Sequence, residues 1–307
     1  MRTAYISHPD CLLHEMGAYH PERPARLKAI EDELIASGLM DKLEHHIAPL
    51  ATLEQLKRIH TPEYIASLEA KAPSTGIAYL DPDTAMNPHS LKAAYRAVGA
   101  VILATDLVIG KTVKNAFCSI RPPGHHAERD HAMGFCLFNN IAAGVAHAIQ
   151  VHALERVAVV DFDVHHGNGT EDIFQDDPRV MMVSTFQHPF YPNSGIAGRS
   201  ERMVNIPLAA GSNGEKFRAA VSEFWLPSLV KFKPQMLFIS AGFDAHRDDD
   251  LASLNLLEAD YAWVTERMKE IAHKYAQNRI VSALEGGYTL PALGGSVATH
   301  LKVLSDP

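Results

Sequence analysis

Short apolar runs, rich in β-branched residues and alternating with longer helical patterns, constrain this chain more than any other feature. Residues 3–6, 115–120, 156–162, 180–185, 204–207, 235–240 and 279–284 read as strands. Several are apolar without interruption, as strands buried on both faces must be. Residues 24–37, 62–70, 88–109, 140–151, 215–231, 258–275 and 291–304 read as helices. Thr61 is placed as an N-cap with Pro62 at the first helical position, while Gly38 and Gly110 each follow a helix end. Strand–helix alternation calls for a parallel sheet wrapped by helices. No Gly/Ser linker, internal repeat or block of like charge divides the chain, so residues 1–307 are expected to form a single α/β domain.

Composition narrows the function classes. The net charge is −8 and no long Lys/Arg run exists, which argues against a protein built to grip nucleic acid or an anionic membrane. The longest apolar stretch, residues 98–109, is broken by Gly99, Thr105 and Asp106 and is too short to span a bilayer. Three cysteines without a CxxC pair cannot make a disulfide framework or a cysteine-based zinc site. The N-terminus has no signal-peptide pattern. A cytoplasmic enzyme is expected, with its oligomeric state left open. Histidine is abundant at 18 residues, several in adjacent pairs, so its placement matters.

In parallel sheets, ligands bind beyond the carboxyl ends of the strands. Four strands end in chemically loaded segments: Arg121-Pro122-Pro123-Gly124-His125-His126, Asp161-Phe162-Asp163-Val164-His165, Ala241-Gly242-Phe243-Asp244 and Glu285-Gly286-Gly287-Tyr288. In an extended segment Asp161, Asp163 and His165 would face one side. A carboxylate and an imidazole two residues apart suit a divalent metal, and Asp244 is the best third ligand, leaving a position open for water. Without the other loops, the same Asp-x-His could simply cap a helix. His125 and His126 are candidate acid–base groups, with Asp161 and Asn168 as partners that fix ring protonation. Tyr288 could donate to a developing oxyanion. Gly134-Phe135 and the Phe190-Tyr191 pair offer aromatic walls.

These segments resemble the zinc-dependent histone deacetylases of the arginase/deacetylase fold, closest to class II and its bacterial relatives. The resemblance rests on His20-Pro21-Glu22-Arg23, Arg121 through Glu128, Gly134-Phe135-Cys136-Leu137-Phe138-Asn139-Asn140, Asp161 through Glu171, Ser240 through Asp244 and Leu284 through Tyr288. It implies one domain around a central eight-stranded, mainly parallel sheet. It implies one zinc per chain on Asp163, His165 and Asp244, with His126 as general base and then acid. It further implies His125 bonded to Asp161, Asn168 bonded to His126, and Tyr288 polarising the scissile carbonyl. Gly134, Phe135 and Tyr191 would flank an acyl-lysine tunnel, with Leu251 at the gatekeeper position. Asp161 and Ser184 resemble a structural potassium site, and Phe174, Asp177 and Val180 a second monovalent site.

The implied reaction is hydrolysis of an acyl-lysine amide in proteins or peptides, with acetylpolyamines or other small N-acyl amines as the alternative substrates. Leu251 and the short 11–19 segment favour an open mouth, whereas Asp248-Asp249-Asp250 would form an acidic rim attractive to polyamines. An arginase-like ureohydrolase would need two manganese ions and more carboxylates than the single three-ligand set here. A silent acyl-lysine reader would lack a ligand or Tyr288.

Overall fold

A computed structural model describes residues 1–196 and 200–306 of the chain. Its centre is an eight-stranded sheet of β1 (Thr3–Ser7), β2 (Glu44–Ile47), β5 (Asn115–Cys118), β6 (Val157–Asp161), β7 (Val180–Gln187), β8 (Met203–Leu208), β9 (Met236–Ala241) and β10 (Ile280–Leu284). The strand order is β2-β1-β5-β10-β9-β6-β7-β8, and every pairing is parallel. Two-residue strands β3 (Ala78–Tyr79) and β4 (Ala85–Met86) form a separate antiparallel hairpin.

The four central strands β5, β6, β9 and β10 are buried at every position, in keeping with their mostly apolar sequences. Helices Ser90–Ile109 and Asn140–Gln150 pack together on one face. Helices Ala25–Ala36, Glu258–Tyr275 and Leu290–Ser305 pack together on the other. Thr61 caps Pro62–Lys71 by accepting the Tyr64 N–H at 3.2 Å, and Asn139 caps Asn140–Gln150 by accepting the Ala142 N–H at 3.0 Å.

Two expectations need correction. Glu44–Ile47 joins the sheet although its polar sequence signals no buried strand; it is an edge strand, with side chains alternately half-buried and exposed. The single helix expected over 215–231 contains a π-helical turn at Val221–Trp225 between Gly214–Ala220 and Leu226–Phe232. Pro227 sits just beyond it and has no N–H to give the preceding turn, which accounts for the shifted ladder.

The topology positions the chemistry. The four strands that carry the loaded segments, β5, β10, β9 and β6, are consecutive at the centre of the sheet. Their carboxyl ends therefore open onto one place.

Candidate active site

A cavity of about 240 Å³ opens at this rim. Its sides are Pro123, Phe135, Tyr191 and Leu251; His125, His126, His165, Gly286 and Tyr288 bring polar chemistry, and Gly134 and Asp83 complete the lining. Phe135 and Tyr288 meet ring edge to ring face at 6.0 Å, and Tyr191 packs against His126 at 5.4 Å. Phe190, the other half of the aromatic pair, instead stacks on His165 at 5.3 Å.

Asp163, His165 and Asp244 each present a ligand atom, all within 4.8 Å of one another. His165 Nδ1 lies 2.9 Å from Asp163 Oδ1 and 3.2 Å from Asp244 Oδ2. Asp244 Oδ2 is buried yet accepts no hydrogen bond. A buried carboxylate oxygen without a partner is costly unless a cation satisfies it, so the donor set fits a divalent metal. Burial works against charging His165, but the two carboxylates outweigh it and raise the imidazole to about 10. Burial and Asp163 raise Asp244 to about 6. Gly286 lets the β10 loop approach: its N–H donates to Asp163 Oδ2 at 2.8 Å, and a Cβ there would stand 2.6 Å from the same oxygen.

Two other groupings could hold a metal among the described residues, and neither lines the cavity. In Asp106–His147–His152, the Arg58 guanidinium donates to His147 Nδ1 at 2.9 Å. That leaves the His147 proton on Nε2, which donates to Asp106 at 2.8 Å and is closed to a metal. Glu128–Asp130–His131 is largely solvated.

The strand-end reading of Asp161 is corrected by the structure. β6 stops at Asp161, so the extended alternation does not continue and Asp161 does not join the ligand cluster. It accepts from His125 Nδ1 at 2.9 Å, the pairing the resemblance implies, and its other oxygen accepts the Asp163 N–H at 3.1 Å. Asn168 lies behind His126. Its Nδ2 donates to Glu128 Oε1 at 2.6 Å, which fixes the amide so that Oδ1 accepts the His126 Nδ1–H at 2.7 Å. His126 Nε2 is then the ring's free acceptor. Gly134 (φ +56°) backs this ring so closely that a Cβ would sit 2.7 Å from His126 Cγ.

The two adjacent histidines are driven apart electrostatically. Burial disfavours the charged form of both. At His125 the carboxylates of Asp161, Asp163 and Glu285 outweigh burial and hold the ring protonated well above its ordinary range. At His126 the charges of His125 and His165 reinforce burial and hold the ring neutral, well below it. Burial also keeps the Tyr288 phenol protonated, well above the usual tyrosine value.

Several contributors carry no role in the sequence reading. Glu285, raised by burial to about 7, accepts the Gly124 and His125 N–H groups at 2.7 and 3.1 Å, and so fixes the histidine loop. Asp83 brings a carboxylate to the cavity wall from the β3–β4 hairpin. Its local sequence, Asp81-Pro82-Asp83-Thr84, reads as a turn and gives no signal of that position. Asp249, expected on an acidic rim, is 4% exposed and turned inward onto backbone N–H groups, so only Asp248 and Asp250 remain outside. Ser184 lies away from the cavity, beside Asp161 in the β6–β7 register. At the second monovalent site, Arg202 already supplies a cation: its guanidinium donates to the carbonyls of Asp177, Val180 and Gln175 at 2.7, 3.2 and 2.9 Å.

With this geometry the comparisons with known proteins agree. Residues 20–304 match the family described as the histone deacetylase domain. The chain belongs to the histone deacetylase family. This deacetylase is 38% identical over 99% of its length to a probable deacetylase of Archaeoglobus fulgidus, covering 86% of that protein. It is 33% identical over 98% of its length to a histone deacetylase-like amidohydrolase of Pseudomonas aeruginosa, again covering 86% of the relative. The crystal structure of the HDA15 HD domain superposes with a TM-score of 0.91 at 32% identity, over 99% of the deacetylase and 90% of that chain. The deacetylase is accordingly a hydrolytic enzyme acting on an acylated amine. No described helix is long and apolar enough to cross a membrane.

Proposed function

We propose that this deacetylase removes acetyl or other acyl groups from the side-chain amine of acyl-lysine in peptides and proteins. Residues 1–307 would act as one catalytic domain, with one zinc ion held by Asp163, His165 and Asp244. The observation that carries the reading is the cavity. At about 240 Å³ it falls below the roughly 300–1,000 Å³ of drug-sized sites, and its walls are largely apolar. That shape suits one linear alkyl arm whose polar end meets the metal ligands, His126 and Tyr288.

Two carboxylates and one imidazole are a three-ligand set of the catalytic zinc type, although such donors also accept iron or cobalt. When bound, the ion supplies Lewis-acid polarisation of the acyl carbonyl and acidifies a water. His126 Nε2, kept unprotonated by the Asn168 bond, takes the water proton and later returns it to the leaving amine. Protonated His125, held by Asp161, offers positive charge near the developing oxyanion. The Tyr288 hydroxyl donates to that oxyanion. Phe135 and Tyr191 exclude water from the alkyl arm, and Leu251 borders the mouth.

Ser184 Oγ is buried without a hydrogen-bond partner next to Asp161. This supports a potassium ion at that place, where it would brace the His125–Asp161 pair. The three cysteines are buried free thiols, which supports a reducing, cytoplasmic setting.

Asp83 favours a second reading. A carboxylate in the wall can accept a peptide N–H, but it can equally hold a second ammonium of a small N-acyl polyamine. The test is kcat/KM on acetyl-lysine peptide, longer acyl-lysine peptides, acetylspermidine and acetylputrescine. Peptides are expected to win by about tenfold, one unit of 1.4 kcal/mol. Polyamines leading by that margin would replace the substrate assignment and leave the mechanism intact.

A further inference from the structure

Asp249 belongs to a run of three aspartates between Asp244 and Leu251, yet it alone is buried. Its Oδ2 accepts the main-chain N–H of Tyr288 at 2.7 Å and of Thr289 at 3.1 Å. Its Oδ1 accepts the Leu251 N–H at 3.1 Å. One carboxylate therefore ties the loop after β9, which carries the cavity wall, to the loop after β10, which carries the phenol.

The segment that carries Tyr288 needs such a tie. It has no regular structure between Leu284 and Leu290, and Gly287 has a φ of +118° that side chains rarely adopt. Nothing in its own sequence fixes where the next residue points. Arg26 holds its carbonyls, donating to Glu285 O at 2.5 Å and Gly287 O at 2.6 Å, and its guanidinium lies 4.9 Å above the Tyr288 ring. Asp249 holds the opposite set of groups, the N–H donors. A buried carboxylate is costly unless fully hydrogen-bonded, and this one spends all its bonds on these two loops.

We infer that Asp249 is a positioning residue for hydrolysis, fixing the Tyr288 hydroxyl where the acyl oxyanion develops. The inference rests on the reading of Tyr288 as the oxyanion donor. A purely structural alternative exists, because Asp249 also lies at the N-terminus of helix Leu290–Ser305 and could act only by capping it.

The experiment is a double-mutant cycle on the metal-loaded enzyme with acetyl-lysine peptide: wild type, Asp249→Asn, Tyr288→Phe and the double variant, each with its metal content measured. Removing an oxyanion donor costs about 10²–10³ in rate, so Tyr288→Phe is expected to lose that factor. Misplacing such a group by about 1 Å costs up to about 10²-fold. Asp249→Asn is expected to lower kcat by about 10–100-fold, with KM and metal content nearly unchanged. In the Tyr288→Phe background the same change should cost less than about twofold. An equal loss in both backgrounds, a loss confined to KM, or wild-type turnover in Asp249→Asn beside an impaired Tyr288→Phe would each overturn the inference. Wild-type turnover in Tyr288→Phe would instead overturn the oxyanion reading beneath it. Hydrogen exchange on the wild-type holoenzyme keeps the question open to test even if Asp249→Asn does not fold. The Tyr288 and Thr289 amides should be protected, and fast exchange there would overturn the inference.

Discussion

Replacing Asn168 tests the most specific electrostatic statement in the site. Asn168→Leu keeps the side-chain size but removes the oxygen that accepts the His126 Nδ1–H at 2.7 Å. The buried N–H would lose a bond worth about 0.5–1.5 kcal/mol and incur an unsatisfied-donor cost of about 1–3 kcal/mol. Together these put about 2–4 kcal/mol behind the present tautomer. Without them the proton is free to move to Nε2, where it blocks the base. In the variant only the unsatisfied-donor cost of about 1–3 kcal/mol acts against the base-competent tautomer, so at about 1.4 kcal/mol per tenfold its fraction falls by about 5–150-fold, and kcat should follow. Asn168→Asp keeps an acceptor at the same place and should retain activity within about tenfold of wild type, a difference of about 1.4 kcal/mol. The assay is steady-state hydrolysis of acetyl-lysine peptide by protein of verified metal content, with the His126 tautomer read from ¹⁵N chemical shifts. If Asn168→Leu turns over within threefold of wild type, or if both variants fall equally, the tautomer argument is wrong.

Other consequences are as direct. Arg202→Met should destabilise the fold by about 1.5–3 kcal/mol in chemical denaturation, because three carbonyls lose a charged donor; an equally stable variant would contradict the assignment of Arg202 as the resident cation. His300 is buried among the rings of Phe117, Phe162 and Phe243, and burial pushes its imidazole down to about 3. A depressed histidine contributes stability that is lost as pH falls below the unfolded value of about 6.5, since the unfolded chain then binds the extra proton. His300→Gln should therefore lose less stability than wild type between pH 6 and 4.5, by about 2 kcal/mol, and parallel pH curves would refute the burial account.

The sequence makes legible whatever is local. Strands such as Val157–Asp161 announce themselves because both faces are buried and the first four positions are all apolar. Glu44–Ile47 does not, since an edge strand has no such requirement. The proposed metal ligands Asp163, His165 and Asp244 and both histidines are legible as candidates because each lies in a short segment directly after a central strand, and the topology brings those segments together. Roles that depend on what packing brings together are not legible. Asp249 reads as one of three solvated acids until the β10 loop is laid against it. Asp83 reaches the cavity only through the fold of its hairpin, and Arg202 meets the 175–180 carbonyls across 22–27 residues of chain. Asp161 shows the limit of a periodicity argument: it holds only while the strand continues.

The central claim is that Asp163, His165 and Asp244 hold the single divalent ion on which hydrolysis depends. The most direct measurement is activity on acetyl-lysine peptide as metal-depleted protein is titrated with zinc, beside Asp244→Asn treated identically. The account predicts turnover that rises linearly and saturates at one equivalent per chain, with neither tight binding nor turnover in the variant. Full turnover by metal-free protein, or saturation only at two equivalents, would contradict it.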